Sequence, residues 1–340
     1  MVYTREAAKT VLTKGPSLTA GTIYSLTWPL VRRYGNGTMG PGAAPAYTAR
    51  PMRNEYDPGL DEYTARAGSR QIRSELDEQA ERLHAWDGQG PPPFDLDSLN
   101  PKAAPLRYLL PLAKWHAAGR PGLTREVQYD TVIVDEAQDM GALELATALA
   151  VVAPGGSLVC YGDPGQALYA ESKGARGALP AAWTIGGERR ILSGGHRCGF
   201  PLAAVAARVL TPIWRRPAET FAAPHRTEVH EWWPSTEDRY PQGALILGYS
   251  RQNAADFVCD WGLKQVAMVP SVASKARVTV CHGHAAKGAE ADEVYLLPWG
   301  KRALARLDDQ EPSALRLLYT MLTRARGRVH VPPTLLARMQ

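Results

Sequence analysis

The sequence predicts an α/β fold with mostly parallel sheets, and two observations predict it. Short aliphatic or β-branched runs at 131–134, 157–161, 244–247, 278–280 and 294–297 alternate with stretches of helical apolar spacing. Polar and acidic clusters follow the runs, and α/β sheets bind ligands outside the carboxyl ends of their strands.

The elements follow in chain order. Val2 to Thr13 reads as a strand end running into a short helix. Gly21 to Arg33 has Ile23, Leu26 and Leu30 at helical spacing, with Pro29 marking a break or a first turn. Gly35 to Pro58, rich in Gly, Pro, Ala and Asn, reads as loop. Gln71 to Trp86 is a charged helix with a narrow apolar stripe of Ile72, Leu76 and Leu83. A Pro-rich loop covers Gly88 to Pro105, and a second helix covers Leu106 to Ala118. Further helices are expected at Leu143–Val152, Leu202–Leu210, Ala254–Leu263 and Ser313–Arg324, between the five strands.

Bulk properties bound the function class. The 340 residues suffice for two domains, and 45% hydrophobic with 21% charged residues is ordinary for a globular chain. A net charge of +5 admits an anionic partner without selecting one. Cys160, Cys198, Cys259 and Cys281 are scattered and none has C-x-x-C spacing, so free thiols and a cytoplasmic location are expected. There is no apolar run of the roughly 20 residues that span a bilayer, and no membrane partner is expected. The early charges of the N-terminus do not fit a secretory signal.

Five motifs carry chemistry. V-I-V-D-E-A-Q-D (Val132 to Asp139) delivers Asp135 and Glu136 at the end of a buried strand. In nucleotide hydrolysis one acid holds Mg²⁺ and another orients or deprotonates water. A bare Asp-Glu pair serves equally as an acidic cluster opening the next helix. G-D-P-G-Q-A-L-Y (Gly162 to Tyr169) is a turn that adds the amide of Gln166 and the aromatic face of Tyr169. His196–Arg197 follows, although an isolated arginine is usually a solvated surface residue. In H-A-A-K-G-A-E-A-D (His284 to Asp292), Lys287–Gly288 can also be read as a helix C-cap. In R-L-L-Y-T-M-L-T-R-A-R (Arg316 to Arg326), Leu317, Leu318, Met321 and Leu322 form a buried helix stripe. Arg316, Thr323 and Arg324 are expected on the rest of that helix's surface. Arginine clamps on a transferring phosphoryl group are worth about 10³–10⁵ in rate.

Together and in this order, the five resemble motifs II to VI of the UvrD/Rep-type superfamily 1 DNA helicases. Y-T-R-E-A-A (Tyr3 to Ala8) resembles motif Ia, and G-T-I-Y-S-L (Gly21 to Leu26) resembles the segment after it. The match covers roughly residues 1–35 and 127–331. The resemblance implies two RecA-like domains. Residues 1–35 and 127–190 would form the first, 36–126 a mainly helical inserted subdomain, and 191–340 the second. It also implies ATP and Mg²⁺ as cofactors, single-stranded DNA as partner, and 3′→5′ inchworm translocation. Asp135 would hold Mg²⁺ and Glu136 would be the catalytic base. Gln166 would couple the γ-phosphate to DNA, and Arg197 and Arg324 would be paired arginine fingers. His196 would stack on adenine, with Lys287, Gly288 and Glu290 in the nucleotide-binding motif and Glu290 on the ribose. Thr4, Thr22, Tyr24, Tyr169 and His284 would contact DNA.

The sequence departs from the family in one large respect. No G-x-x-x-x-G-K-[ST] occurs in it, and that motif supplies amide N–H groups and a lysine to the phosphates. In the family it precedes motif Ia. A phosphate cradle from missing upstream sequence or a separate chain is therefore expected, with little activity from this chain alone. Loss of the accompanying strand would leave the 157–161 strand with an open edge. His282 replaces a usual threonine, and Glu171 and Lys173 occupy a stretch where a base-stacking aromatic is common. The short 197–284 span suggests a minimal, phage-like motor, and the cytoplasmic location expected is that of a nucleoid-associated or phage-encoded protein. The alternatives are a helicase-derived DNA-binding or accessory subunit, and an unrelated α/β nucleotide-binding protein.

Overall fold

The computed structural model describes residues 70–100, 106–168, 187–192, 197–214, 223–235, 239–263, 266–267 and 278–339. The expectations for Thr4, Thr22, Tyr24, Tyr169, Glu171, Lys173 and His196 lie outside them. The chain divides into two units, Met1–Glu188 and Arg189–Gln340. Both are α/β with parallel strand pairing, which is the fold class the sequence predicts.

In the first unit, α1 (Arg70–Ala85) and α2 (Leu106–Ala117) precede β1 (Tyr129–Val134), α3 (Ala142–Ala150) and β2 (Val152–Cys160). β1 and β2 pair in parallel, from Thr131 opposite Ser157 to Val134 opposite Cys160. They form a two-stranded sheet among the described residues. The alternation of β1 sends Val132 and Val134 inward against Leu145 and Ala148 of α3, while Ile133 is half exposed. The opposite side of α3, at Leu143 and Ala150, joins a second core with Leu83, Leu106, Leu110 and Trp115. α3 is thus buried on two sides. It stops at Ala150, short of the expected Val152, because Val152 already opens β2.

Polar groups bind the same three helices. Glu144 is 1% exposed, accepts from Gly141 N–H at 2.6 Å, and lies 3.3 Å from His84 Nδ1. His116 Nε2 lies 3.0 Å from Thr147 Oγ1, whose own proton goes to Leu143 O. His116 Nε2 therefore donates to Thr147, which leaves Nδ1 as the position where the ring would take up a second proton. Burial is the main reason the His116 pKa falls to about 4, and the charge of Arg120 adds to it. An unfolded chain protonates this ring near 6.5, so its contribution to stability is complete above that pH. The contribution is lost as the pH falls towards 4, an effect of about 3 kcal/mol. Urea denaturation at pH 7.5 and pH 4.5 should show this loss, reduced in His116→Gln, which keeps a donor for Thr147. An unchanged pH dependence in the variant would remove His116 as its source.

Among the described residues the second unit holds a seven-stranded sheet of order β3-β4-β9-β8-β5-β7-β6. Its strands are β3 (Gly199–Pro201), β4 (Ala223–Glu231), β5 (Ala244–Gly248), β6 (Val266–Ala267), β7 (Val278–His282), β8 (Ala291–Leu296) and β9 (Ala325–Val331). Every neighbouring pair is parallel. The helices are α4 (Leu202–Trp214), α5 (Arg251–Asp260), α6 (Lys301–Asp308), α7 (Pro312–Leu322) and α8 (Pro333–Leu336). β5 is buried at every position, as expected of a central parallel strand. Ile246, Val280 and Tyr295 pack with Ala254 and Phe257 of α5.

The expected helix to Arg324 ends at Leu322, and β9 begins at Ala325. Thr323 and Arg324 are 8% and 1% exposed. They therefore lie buried in the helix-to-strand corner, and the expectation that they share the helix's outer surface is corrected. The four cysteines are free thiols, and burial pushes Cys281 up to about 12. No described helix is long and apolar enough to cross a membrane.

Candidate functional site

Two groups of side chains stand out, one in each unit. In the first, the parallel ladder is closed at its carboxyl end by Tyr161. Its N–H donates to Val134 O at 2.8 Å, and its carbonyl accepts from Ala137 N–H at 2.9 Å. These bonds place the loops after β1 and β2 side by side. Asp135 is exposed, and its Oδ1 accepts from Glu136 N–H at 3.0 Å. Glu136 adopts φ 56°, the left-handed region that a non-glycine residue rarely occupies.

From Glu136 a chain of polar contacts runs to the second loop. Gln138 Nε2 donates to Glu136 Oε2 at 2.5 Å. Gln138 Oε1 accepts from Asp163 N–H at 3.1 Å. Asp163 Oδ1 accepts from Gly165 N–H at 2.8 Å, and its Oδ2 from Gln166 Nε2 at 2.9 Å. The structure thus joins Glu136 and Gln166, both singled out from sequence, through Gln138 and Asp163, which had been assigned no role. The spacing D-E-x-Q already held that signal, since a short loop returns a side chain two residues on to the same carboxylate.

Asp135 fits a Mg²⁺ ligand by its donor type and exposure. Mg²⁺ takes one or two carboxylates and fills its other positions with water and phosphate oxygens. Among the described residues no three His, Cys, Asp or Glu side chains form a metal cluster.

In the second unit Arg197, Glu290 and Arg324 converge, although 93 residues separate the first two. Each lies one or two residues ahead of a parallel strand: Arg197 before β3, Glu290 before β8 and Arg324 before β9. This group therefore sits at the amino ends of the strands. That corrects the expectation that all the polar clusters stand at carboxyl ends.

Arg197 Nε donates to Glu290 Oε2 at 2.8 Å, and Arg326 donates to Glu290 Oε1 at 3.2 Å and to Asp292 Oδ1 at 3.0 Å. The hydrogen bond from Arg197 holds the Glu290 carboxyl below the usual carboxylate range, and the charges of Arg197, Arg326 and Arg324 add to this. Arg324 donates from Nε to Thr320 O at 2.9 Å, and from its terminal nitrogens to Ala289 O at 3.4 Å and Thr323 Oγ1 at 3.3 Å. Arg197 is 34% exposed and Arg324 is buried, so Arg197 is the accessible guanidinium of the two. Thr227, fully buried, fixes the neighbouring backbone by accepting from Gly199 N–H and donating to Arg326 O, both at 2.8 Å.

His284 is not part of this group. It follows β7 at the carboxyl end of the sheet, with its ring 6.0 Å from that of His282. Arg251 Nε donates to His282 Nε2 at 3.3 Å. Burial first, then the charges of Arg251 and His284, lower the His282 pKa to about 4. Lys287 and Gly288 lie in the run of turns that leads from β7 to β8. Gly288 has φ 79°, and with no helix before it, it is not a helix C-cap.

No protein-family model matches the chain, and no curated protein does. Solved structures do. The arterivirus nonstructural protein 10 helicase is 17% identical with a TM-score of 0.34, over 59% of this chain and 38% of that one. A complex of that helicase with DNA gives 17% identity and a TM-score of 0.35, over 61% and 40% of the two chains. The C-terminal domain of a possible DNA helicase from a Lactobacillus gives 16% identity and a TM-score of 0.31, over 43% of this chain and 95% of that domain. The chain thus spans about two fifths of the arterivirus proteins it resembles.

Proposed function

We propose that the chain is the bulk of a UvrD/Rep-like DNA motor, an ATP-dependent translocase or helicase moving 3′→5′ on single-stranded DNA. One observation carries this reading. Residues picked out from the order of sequence motifs, and far apart in the chain, are joined by hydrogen bonds within each unit. In the first unit these are Glu136 and Gln166, through Gln138 and Asp163. In the second they are Arg197 with Glu290, beside Arg324.

In this reading Asp135 holds Mg²⁺, which when bound neutralises charge on the nucleotide phosphates. Glu136 accepts the proton of the attacking water. Gln166 senses the γ-phosphate from its turn. Arg197 offers its guanidinium to the transferring group, and Glu290 releases it in exchange for the ribose. Arg324 holds the 289–291 segment and Thr323 beneath Arg197, and it reaches a phosphate only by giving up its carbonyl partners. The phosphate cradle comes from sequence outside these 340 residues or from a second chain. DNA contacts fall to Thr4, Thr22, Tyr24, Tyr169 and His284, and adenine stacking to His196.

The test pairs two measurements on the purified chain, with and without an added P-loop-bearing segment. These are single-stranded DNA binding across a salt series and ATP turnover. The expected result is salt-dependent DNA binding by the chain, with DNA-stimulated turnover only when the segment is present. DNA binding with no restorable turnover would favour an accessory subunit. Loss of both would overturn the motor reading. Strong turnover by the chain alone would mean a phosphate site of another kind.

A further inference from the structure

We propose that Gln138 is a positioning residue that couples the Glu136 carboxylate to the Asp163–Gln166 turn, so that the two loops respond as one. The proposal deepens the motor reading and rests on it for the meaning of the coupling, though not for its existence. Gln138 is 2% exposed, and both ends of its amide are engaged. The ends are not interchangeable. The NH₂ meets a carboxylate oxygen and the carbonyl meets a backbone N–H, so a flipped amide would face oxygen to oxygen and N–H to N–H. One orientation is therefore fixed, and each partner feels a displacement of the other.

A buried glutamine that only filled space would have no reason to aim its donor at the half-buried acid two residues before it. Here that acid sits on left-handed backbone and is the candidate base. At the far end, the Asp163 carboxylate gathers Gly165 N–H and the Gln166 amide. A ligand that draws Gln166 out of its turn changes what Asp163 presents to Gln138, and hence the support of Glu136. The device lets occupation of the turn set the aim of the base.

Amide hydrogen exchange on the full chain tests this without requiring turnover. Glu136→Ala perturbs the near end, and the amides of Asp163 and Gly165 report at the far end. In the otherwise native chain their exchange is expected to rise about threefold or more, while in a Gln138→Leu background Glu136→Ala adds almost nothing. Unchanged exchange in α3 and β1 shows that the variants are folded. An equal effect of Glu136→Ala in both backgrounds, or no effect in either, overturns the coupling.

In the complete ATP-hydrolysing assembly, Gln138→Leu should lower kcat about tenfold with KM for nucleotide unchanged. Gln138→Glu should be worse than Leu despite its closer shape, because it sets a carboxylate against Glu136. A Glu variant as active as the native chain would also overturn the proposal. If the native assembly shows no turnover, the motor reading has failed, and the exchange experiment still decides the coupling.

Discussion

Glu136→Gln is expected to cut ATP turnover by the complete assembly about 10²- to 10⁴-fold, with nucleotide and DNA affinities nearly unchanged. The substitution keeps the side chain's size and an oxygen that can accept from Gln138 Nε2. It also leaves a residue of similar shape on the φ 56° backbone. What it removes is the ability to take a proton from water. A variant that binds normally and hydrolyses slowly is the signature of a missing base. A loss under about fivefold would remove Glu136 from that role, since general-base catalysis is worth far more.

Arg324→Ala should produce a different kind of loss. Arg324 is among the largest fully buried side chains, and its guanidinium donates to Thr320 O, Ala289 O and Thr323 Oγ1. Truncation opens a cavity and strands acceptors that water cannot easily reach, and a cost of about 3–5 kcal/mol is expected. In a urea titration the transition of the second unit should move to lower denaturant while that of the first stays in place. Arg197→Ala is the contrast. Its partner Glu290 is 41% exposed, so the pair should contribute less than about 1 kcal/mol to stability. Both variants should lose turnover, one through misfolding at the corner and the other through chemistry. An Arg324→Ala protein as stable as the native chain would mean that the carbonyl contacts do not matter.

The strands that were legible in the sequence are the apolar ones. β1, β2, β5, β7 and β8 contain the five short apolar runs that mark them. β4 and β9 were missed, although β9 lies well inside the sheet. Their sequences, APHRTEVHE and ARGRVHV, look like solvated chain. One face explains why. Arg328 of β9 bridges Glu228 of β4 and Glu293 of β8, and one row along, the His330 ring stacks on His230 and on Tyr295. Charges that cancel across three strands do not show in any one of them.

The site was legible in a similar part. The acids and the turn after β2 could be read from strand ends. The placement of Arg197, Glu290 and Arg324 at the opposite, amino ends required the strand order, which no local pattern holds. Arg324 reads as a surface cation in one dimension because Thr320 O and Ala289 O, two of the acceptors that hold it, are backbone carbonyls, and these leave no mark in the sequence.

α3 has two buried sides, and this limits how freely the chain's parts can be exchanged. Leu145 and Ala148 belong to the sheet, while Leu143, Thr147 and Ala150 belong to α1 and α2. Excising residues 36–126, or grafting them into another protein, would leave half of that helix written for a neighbour no longer there. The two pieces are bound to change together. A substitution at Leu110 or Trp115 should be answered on α3 sooner than on any other element of the first unit, and a shortened form of the protein would need Leu143 and Thr147 redesigned for water.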